Sequence, residues 1–299
     1  EKSDGAWIIR VARDTDKGKT EMPPFILVNS RGGVGYHTTD LATIFDRAQN
    51  IKPDTMLYVV DQRQALHFQQ VFRASEKAGY FPEAGLEHIG FGTVNGDDGK
   101  PFKTRDGGTV RLSDLNRMAL EEAQKKIAAA NLSADLSEDE VQDIALKVAL
   151  AATRFSDLQN TRTTDYKFDL DRFTSFEGKT GPYLLYAAVR IKALLRRAKA
   201  EGNAAGELLI ESDSERALAL QLDGFNTALD QAYAKRMPHF LCEHVYNLAQ
   251  TFSGFYGAHP IAAEKDPAKR ASRLALCEAV LNQLETGLDI LGIKTPERM

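Results

Sequence analysis

Residues 56–79, MLYVVDQRQALHFQQVFRASEKAG, indicate the fold of the first third of the chain. The apolar run Met56–Val60 has the length of a buried strand. The segment after it repeats apolar residues at helical spacing and stops at Gly79. A second apolar run, residues 88–94, comes next. A strand, a helix and a strand in this order are typical of a parallel α/β sheet.

From about Ser113 the chain changes to a helical period. Ser137 with Glu140, and Ser212 with Glu215, have the capping-box pattern that opens a helix. Apolar residues then recur at three- and four-residue steps, which is typical of helices packed in a bundle.

The predicted fold class is therefore α/β followed by all-α. Two short apolar runs, residues 7–9 and 25–28, are predicted to be further strands of the α/β part. We assign residues 1–160 to the α/β part, residues 161–179 to a connection and residues 180–299 to a helical domain.

The composition excludes several classes of protein. Of 299 residues, 43% are apolar and 27% charged, which is ordinary for a globular chain and excludes a disordered one. No stretch approaches the roughly 18–20 apolar residues of a membrane helix. Two cysteines are too few for a disulfide framework and indicate a reducing compartment. The opening EKSDGAWIIR has neither Met nor a signal region, so we expect a chain that begins within a domain.

The first candidate site is the glycine-rich segment 32–40, GGVGYHTTD, after the run at 25–28. Ligands of parallel sheets bind beyond the carboxyl ends of the strands. Tyr36 and Asp40 offer an aromatic ring and a carboxylate to a cationic group there. The alternative is that Asp40, or a nearby Thr, only caps the helix at 41–48.

The second candidate site opens the helix after Asp61. Gln64 and His67 are three residues apart and share a helical face distinct from the apolar one. This polar pair is well placed to contact a ligand. The alternative is a solvated helix start with Asp61 as its cap.

The third candidate site is the segment 99–108, in which Lys100, Lys103 and Arg105 lie among glycines. Three cations in such a loop suit phosphate oxygens, and the alternative is a solvated charged hairpin. The sequence contains no G-x-G-x-x-G or P-loop motif. Its histidines and cysteines do not have metal-ligand spacing, so we predict no metal site.

Five cations lie within ten residues of the helical domain. They are Arg190, Lys192, Arg196, Arg197 and Lys199. At 100° per residue they fall on both sides of the apolar stripe and form no single patch. This spacing favours a solvated helix over an RNA-binding one.

Five segments in order resemble arginyl-tRNA synthetase, a class I aminoacyl-tRNA synthetase. Three come from the α/β part: GYHTTDLATI, DQRQALHFQQVF and HIGFGTVNGDDGKPFKTRDGGTVRL. The other two are GPYLLYAAVRIKALLRRA, which is similar to the start of the anticodon-binding bundle, and the C-terminal LGIKTPERM. The resemblance implies that residues 1–160 are the second half of the Rossmann-like catalytic domain and residues 180–299 the anticodon-binding domain.

The resemblance implies a role for each candidate residue. Tyr36, Asp40 and Gln64 would hold the substrate arginine, with Asp40 facing the guanidinium and His67 beside the pocket. The third candidate site corresponds to the family's variant of the KMSKS loop. Its Lys103, together with Lys100, would stabilise charge developing on the ATP phosphates, and Thr104 and Arg105 belong to the same loop. Tyr256 and Met299 would contact the anticodon loop, where an aromatic ring stacks on an unpaired base.

The implied reaction uses ATP with Mg²⁺ to activate L-arginine and then transfers it to tRNA-Arg. We expect no membrane or DNA partner, a monomer and a cytoplasmic location. The family's ATP-binding His-x-Gly-His motif is absent from this sequence. We therefore expect the C-terminal portion of the enzyme, inactive alone.

Two alternatives of other kinds stay open. One is a non-catalytic tRNA-binding protein derived from the synthetase. The other is an unrelated nucleotidyltransferase of the same α/β type, which only fold analogy supports.

Overall fold

The computed structural model describes residues 1–16, 22–96, 99, 111–129 and 136–299. The chain divides into two compact units, Glu1–Thr93 and Val94–Met299.

The first unit contains two small sheets. The antiparallel sheet has the order β1–β2–β3, with β1 at Lys2–Ser3, β2 at Ala6–Ile9 and β3 at Phe25–Val28. The parallel pair consists of β4 at Met56–Asp61 and β5 at Leu86–Phe91. The predicted parallel pairing is correct for β4 and β5 and wrong for β2 and β3. A parallel pair needs a crossover connection, usually a helix. Between β2 and β3 the described residues form only the single 3₁₀ turn Asp14–Asp16.

Two helices cover these strands. Helix α1 spans Tyr36–Asn50 and α2 spans Ala65–Lys77. Phe25, Ile44 and Val71 are fully buried where β3, α1 and α2 pack together. Burial of these side chains fixes both helices against the sheets, because each contributes roughly 1.5–3 kcal/mol.

The second unit is mostly helical. A two-residue parallel pair joins β6, Val94–Asn95, to β7, Tyr166–Lys167. The helices are α3 Leu112–Ala129, α4 Glu138–Leu158, α5 Leu170–Phe173, α6 Gly181–Ala200, α7 Asp213–Asp223, α8 Phe225–Lys235, α9 His239–Ala258 and α10 Pro267–Ile290.

The predicted capping boxes are confirmed. The hydroxyl of Ser137 accepts from the backbone N–H of Glu140 at the start of α4, and Ser212 does the same with Glu215 at the start of α7. Buried leucines of α6, α9 and α10 form the centre of the bundle, among them Leu184, Leu248 and Leu284. None of the helices in the described ranges combines the length and apolarity that a bilayer crossing requires.

Candidate functional site

The first candidate site begins where β3 turns into α1. The side-chain oxygen of Asn29 accepts hydrogen bonds from the backbone N–H groups of Arg31 and Gly33, at 2.9 and 3.0 Å. Gly32 between them has φ +81°, which favours glycine. The hydroxyl of Thr38 donates to the carbonyl of Leu27 at 2.5 Å and ties the first turn of α1 to β3.

Asp40 lies in the second turn of α1, because the helix begins at Tyr36 and its N-cap is Gly35. The interpretation of Asp40 as a helix cap is therefore wrong. Its carboxylate oxygen Oδ2 lies 2.7 Å from Nε2 of His67 on α2. The Asp40 side chain is 37% exposed while that of His67 is 7% exposed. The imidazole thus holds the carboxylate from the protein side and leaves the other side open to solvent.

The hydrogen bond to Asp40 places a proton on one ring nitrogen of His67. A carboxylate accepts, so Nε2 is the donor. Within the described residues the buried Nδ1 of this ring has no hydrogen-bond partner.

Two aromatic rings, those of Tyr36 and His37, lie beside His67 of the Asp40–His67 pair. The ring centroid of Tyr36 lies 4.0 Å from that of His37 and 4.8 Å from that of His67, and the two imidazoles are also 4.8 Å apart. Burial lowers the pKa of His37, and the neighbouring His67 lowers it further. Tyr36 is 61% exposed. The site is an open carboxylate beside an aromatic wall.

Gln64 lies at an exposed position in the 3₁₀ turn Gln62–Gln64, directly before α2. Asp61 caps that turn, because its Oδ1 accepts from the backbone N–H of Arg63 at 2.8 Å. The guanidinium of Arg63 donates to both oxygens of the same carboxylate. These bonds, and then the backbone N–H bond, lower the pKa of Asp61. Asp61 thus caps the 3₁₀ turn, whereas the N-cap of α2 itself is Gln64. The structure therefore groups Tyr36, Asp40 and His67, and leaves Gln64 at the exposed start of the second helix.

In the third candidate site, Lys100, Lys103, Thr104 and Arg105 all lie outside the described residues.

A candidate binding surface, separate from the three candidate sites, lies on the helical unit. The guanidinium of Arg190 on α6 is 4.1 Å from the ring centroid of Tyr256 on α9, a cation–π distance. Phe252 packs on Tyr256 with a centroid distance of 5.8 Å, and Tyr256 is half-buried. Tyr186, one turn before Arg190 on α6, is 43% exposed. Three groups suited to stacking on RNA bases therefore lie on two neighbouring helices.

Arg190 is a residue that the sequence interpretation missed. The sequence interpretation treated it as part of a solvated flank, and nothing local in the sequence pairs it with Tyr256. The helical spacing of Tyr186 and Arg190, four residues apart, is the one available signal.

The solvated interpretation is wrong for Lys192. This lysine is 8% exposed and its ammonium lies 2.8 Å from carboxylates of Glu285 and Glu297. Met299, at the end of the same tail as Glu297, is half-buried and packs against the bundle core.

Comparison with known families identifies the class of protein to which this fold and site belong. Residues 1–170 match the family described as tRNA synthetases class I (R), catalytic domain. Residues 184–299 match the DALR anticodon binding domain. Since the first match covers more than half of the chain, the protein belongs to the arginyl-tRNA synthetase family of class I.

The relatives agree with this membership. The chain is 66% identical to an arginine–tRNA ligase of Hyphomonas neptunium, over the whole chain and 51% of that protein. It is 58% identical to one of Maricaulis maris, over the whole chain and 50% of that protein. The arginyl-tRNA synthetase structure from Thermus thermophilus matches with a TM-score of 0.84 at 27% identity, over the whole chain and 55% of that structure.

The chain spans about half the length of the curated relatives it matches. The predicted family, and the fold class of a catalytic portion followed by a helical anticodon-binding domain, are confirmed.

Proposed function

We propose that this chain supplies the arginine pocket, the ATP-phosphate loop and the anticodon-binding domain of an arginine–tRNA ligase. The observation that carries the proposal is the Asp40 carboxylate, held by the buried His67 at 2.7 Å and open to solvent on its other side. A carboxylate in that setting suits a planar guanidinium, which forms two parallel hydrogen bonds to it.

Each side chain of the pocket has a proposed task. Asp40 accepts from the guanidinium of L-arginine, and the exposed ring of Tyr36 forms one wall. The Nε2–H of His67 occupies one lone pair of Asp40 and orients the remaining ones outward. Gln64, exposed at the start of α2, offers an amide to the polar part of the substrate.

The proposed reaction has two steps. A carboxylate oxygen of arginine attacks the α-phosphate of ATP, which forms arginyl-adenylate and releases pyrophosphate. A hydroxyl at the 3′ end of tRNA-Arg then attacks the arginyl carbonyl and releases AMP. In the proposal, Lys100 and Lys103, with Thr104 and Arg105, face the ATP phosphates. ATP enters as its Mg²⁺ complex, so that ion arrives with the substrate. Among the described residues no three His, Cys, Asp or Glu side chains group as a metal site.

The helical unit is proposed to contact the anticodon loop. The stacked pair of Arg190 and Tyr256, 4.1 Å apart, supports this role because both groups stack on unpaired bases. Met299 is proposed to add an apolar contact. The assignment of residues 1–160 to the catalytic portion, 161–179 to a connection and 180–299 to the anticodon-binding domain also remains a proposal, as do a monomeric state and a cytoplasmic location.

A charging assay tests the proposed function. The assay uses a fusion, here called the joined protein. It consists of the half of the Hyphomonas neptunium relative that the chain does not match, followed by the 299-residue chain. We expect the joined protein to attach radiolabelled arginine to an arginine tRNA transcript. We expect the 299-residue chain alone to attach none, because it lacks the family's His-x-Gly-His motif.

A tRNA transcript for another amino acid is the control for specificity. Charging by the 299-residue chain alone would contradict the expectation that the preceding half is required for the reaction. A folded joined protein that binds the arginine transcript and charges nothing would favour a non-catalytic tRNA-binding protein.

A further inference from the structure

Lys192 on α6 is a buried ammonium surrounded by oxygen atoms. Its Nζ lies 2.8 Å from Oε1 of Glu285, 2.8 Å from Oε1 of Glu297, 3.2 Å from the carbonyl of Pro296 and 3.4 Å from the hydroxyl of Thr295. A buried charge is tolerated when it is paired and hydrogen-bonded. All three donor hydrogens of the ammonium therefore have acceptors within reach.

The four oxygen atoms come from two different parts of the unit. Glu285 belongs to α10 and so to the helical bundle. Thr295, Pro296 and Glu297 belong to the C-terminal tail, which we define as residues 291–299. Thr295 also donates to Oε1 of Glu285 at 2.6 Å. Lys192 thus joins the C-terminal tail to two helices of the bundle.

The path of the C-terminal tail depends on these side-chain bonds. Residues 293–299, which the structure describes in full, form neither helix nor strand. Arg196, one turn beyond Lys192, donates to the carbonyl of Glu297 at 2.8 Å. Arg298 pairs with Glu140 of α4 at 2.5 Å. No backbone ladder fixes the last residues of the tail. These side-chain bonds therefore hold it on the bundle, together with the buried Ile293 and the packing of Met299 against the core.

Lys192 and Glu297 both remain charged near neutral pH. Burial lowers the pKa of Lys192, but the hydrogen bonds to Glu285 and Glu297 more than offset this and raise the pKa above its ordinary value. The hydrogen bond from Lys192 lowers the pKa of Glu297.

We propose that Lys192 is a positioning residue for RNA recognition, which fixes the C-terminal tail so that Met299 is held in place before the tRNA binds. This inference rests on the proposed function, in which Met299 contacts the anticodon loop. A tail already fixed on the bundle avoids the entropy loss of ordering it on binding. Met299 itself packs against the bundle core, as a held residue would.

The test compares Lys192→Met with Lys199→Met in the 299-residue chain. Lys199 lies two turns further along α6, on the same flank, and is exposed. Affinity is measured at fixed salt for an arginine tRNA transcript and for one altered only at the second anticodon base. Hydrogen exchange of residues 293–299 reports on the tail directly. Glu297→Ala is the second variant, because this side chain is 83% exposed and its loss leaves the core intact.

We expect Lys192→Met to weaken binding of the unaltered transcript about tenfold, to leave binding of the altered transcript unchanged, and to speed exchange in the tail. Glu297→Ala should likewise weaken binding of the unaltered transcript and speed exchange in the tail. Lys199→Met lowers both affinities by one small, salt-dependent factor.

Two results would overturn the inference. One is a variant tail that exchanges faster while the preference between transcripts stays the same. The other is an equal loss of affinity for both transcripts, which is the result of a merely structural role. Failure of the proposed function is a different result, since the unaltered chain would then bind both transcripts equally.

Discussion

Replacing Asp40 by asparagine in the joined protein should raise the KM for arginine about a hundredfold. Asparagine keeps the shape of the side chain and one oxygen for His67 but has no negative charge. The two charge-assisted hydrogen bonds from the guanidinium are lost, because the one remaining oxygen faces His67 and the amide NH2 cannot accept. We expect this to cost about 3 kcal/mol. The measurement is the arginine dependence of charging, with ATP and tRNA held at saturation.

Asp46→Asn is the matched control for this prediction. Asp46 lies on the same helix, is exposed, and accepts a hydrogen bond at 2.7 Å from the side-chain amide of Asn50, one turn further on. It should leave the KM for arginine unchanged. Equal KM values for Asp40→Asn and the unaltered protein would contradict the assignment of Asp40 to the arginine pocket.

His67→Phe in the same assay separates the effect of the Asp40 charge on the KM for arginine from the effect of the Asp40 orientation. The phenyl ring keeps the contacts with Tyr36 and Phe68, whose centroids lie 4.8 and 5.0 Å from the imidazole. It removes the hydrogen bond that orients Asp40. We expect a smaller rise in KM than for Asp40→Asn, about tenfold, because the negative charge is retained.

The second large effect concerns the stability of the helical unit. Arg273 on α10 is 8% exposed and its Nε donates to Oε1 of Glu215 at 2.9 Å. Its Nη1 donates to Glu264 at 2.6 Å. Glu215 is 3% exposed and belongs to the capping box of α7. Arg273→Met leaves this buried carboxylate without its cation, so the free energy of unfolding should fall by roughly 3–5 kcal/mol.

Lys269→Met is the matched control for Arg273→Met. Lys269 lies on the same helix and pairs with Glu211 at 2.7 Å, but the two side chains are 40% and 57% exposed. Its loss should change the free energy of unfolding by at most about 1 kcal/mol. Urea denaturation measures both variants, with the slope m unchanged. Equal effects of the two substitutions would contradict the claim that the buried pair of Arg273 and Glu215 stabilises the fold more than the exposed pair of Lys269 and Glu211.

The same ion pair makes stability depend on pH. Burial raises the pKa of Glu215, but the hydrogen bonds from Arg273 and from the backbone of Glu211 and Ser212 outweigh it and lower the pKa to about 2. A carboxyl whose pKa is lower in the folded state than in the unfolded state stabilises the fold above the unfolded value. That contribution disappears as the pH falls from 4.5 to about 2. The Arg273→Met variant should therefore lose less stability over this range than the unaltered chain.

Local features of the fold could be predicted from the sequence. The capping boxes at Ser137 and Ser212 act within one turn of helix, so they are visible without tertiary structure. The parallel pair of β4 and β5 follows from the helix between them. The antiparallel sheet of β1 to β3 was not predicted, because strand direction depends on connections that short apolar runs do not specify.

The candidate site was only partly predictable for a similar reason. The sequence does not decide whether Asp40 caps α1 or binds a ligand, because the N-cap of α1 is Gly35, which has no polar side chain to mark the start of the helix. The bond from Asp40 to His67 spans 27 residues, and that from Lys192 to Glu297 spans 105. Helical periodicity indicates which face of a helix is apolar. It does not identify the distant carboxylate that pairs with a lysine beside that face.

The most direct test of the account is a binding titration of the unaltered 299-residue chain at fixed low salt. It compares an arginine tRNA transcript with one altered only at the second anticodon base. We expect a clear preference for the unaltered transcript, because Arg190, Tyr256 and Met299 are proposed to contact unpaired bases. Equal binding of both transcripts, falling steeply with salt, would show phosphate contacts alone and contradict the account.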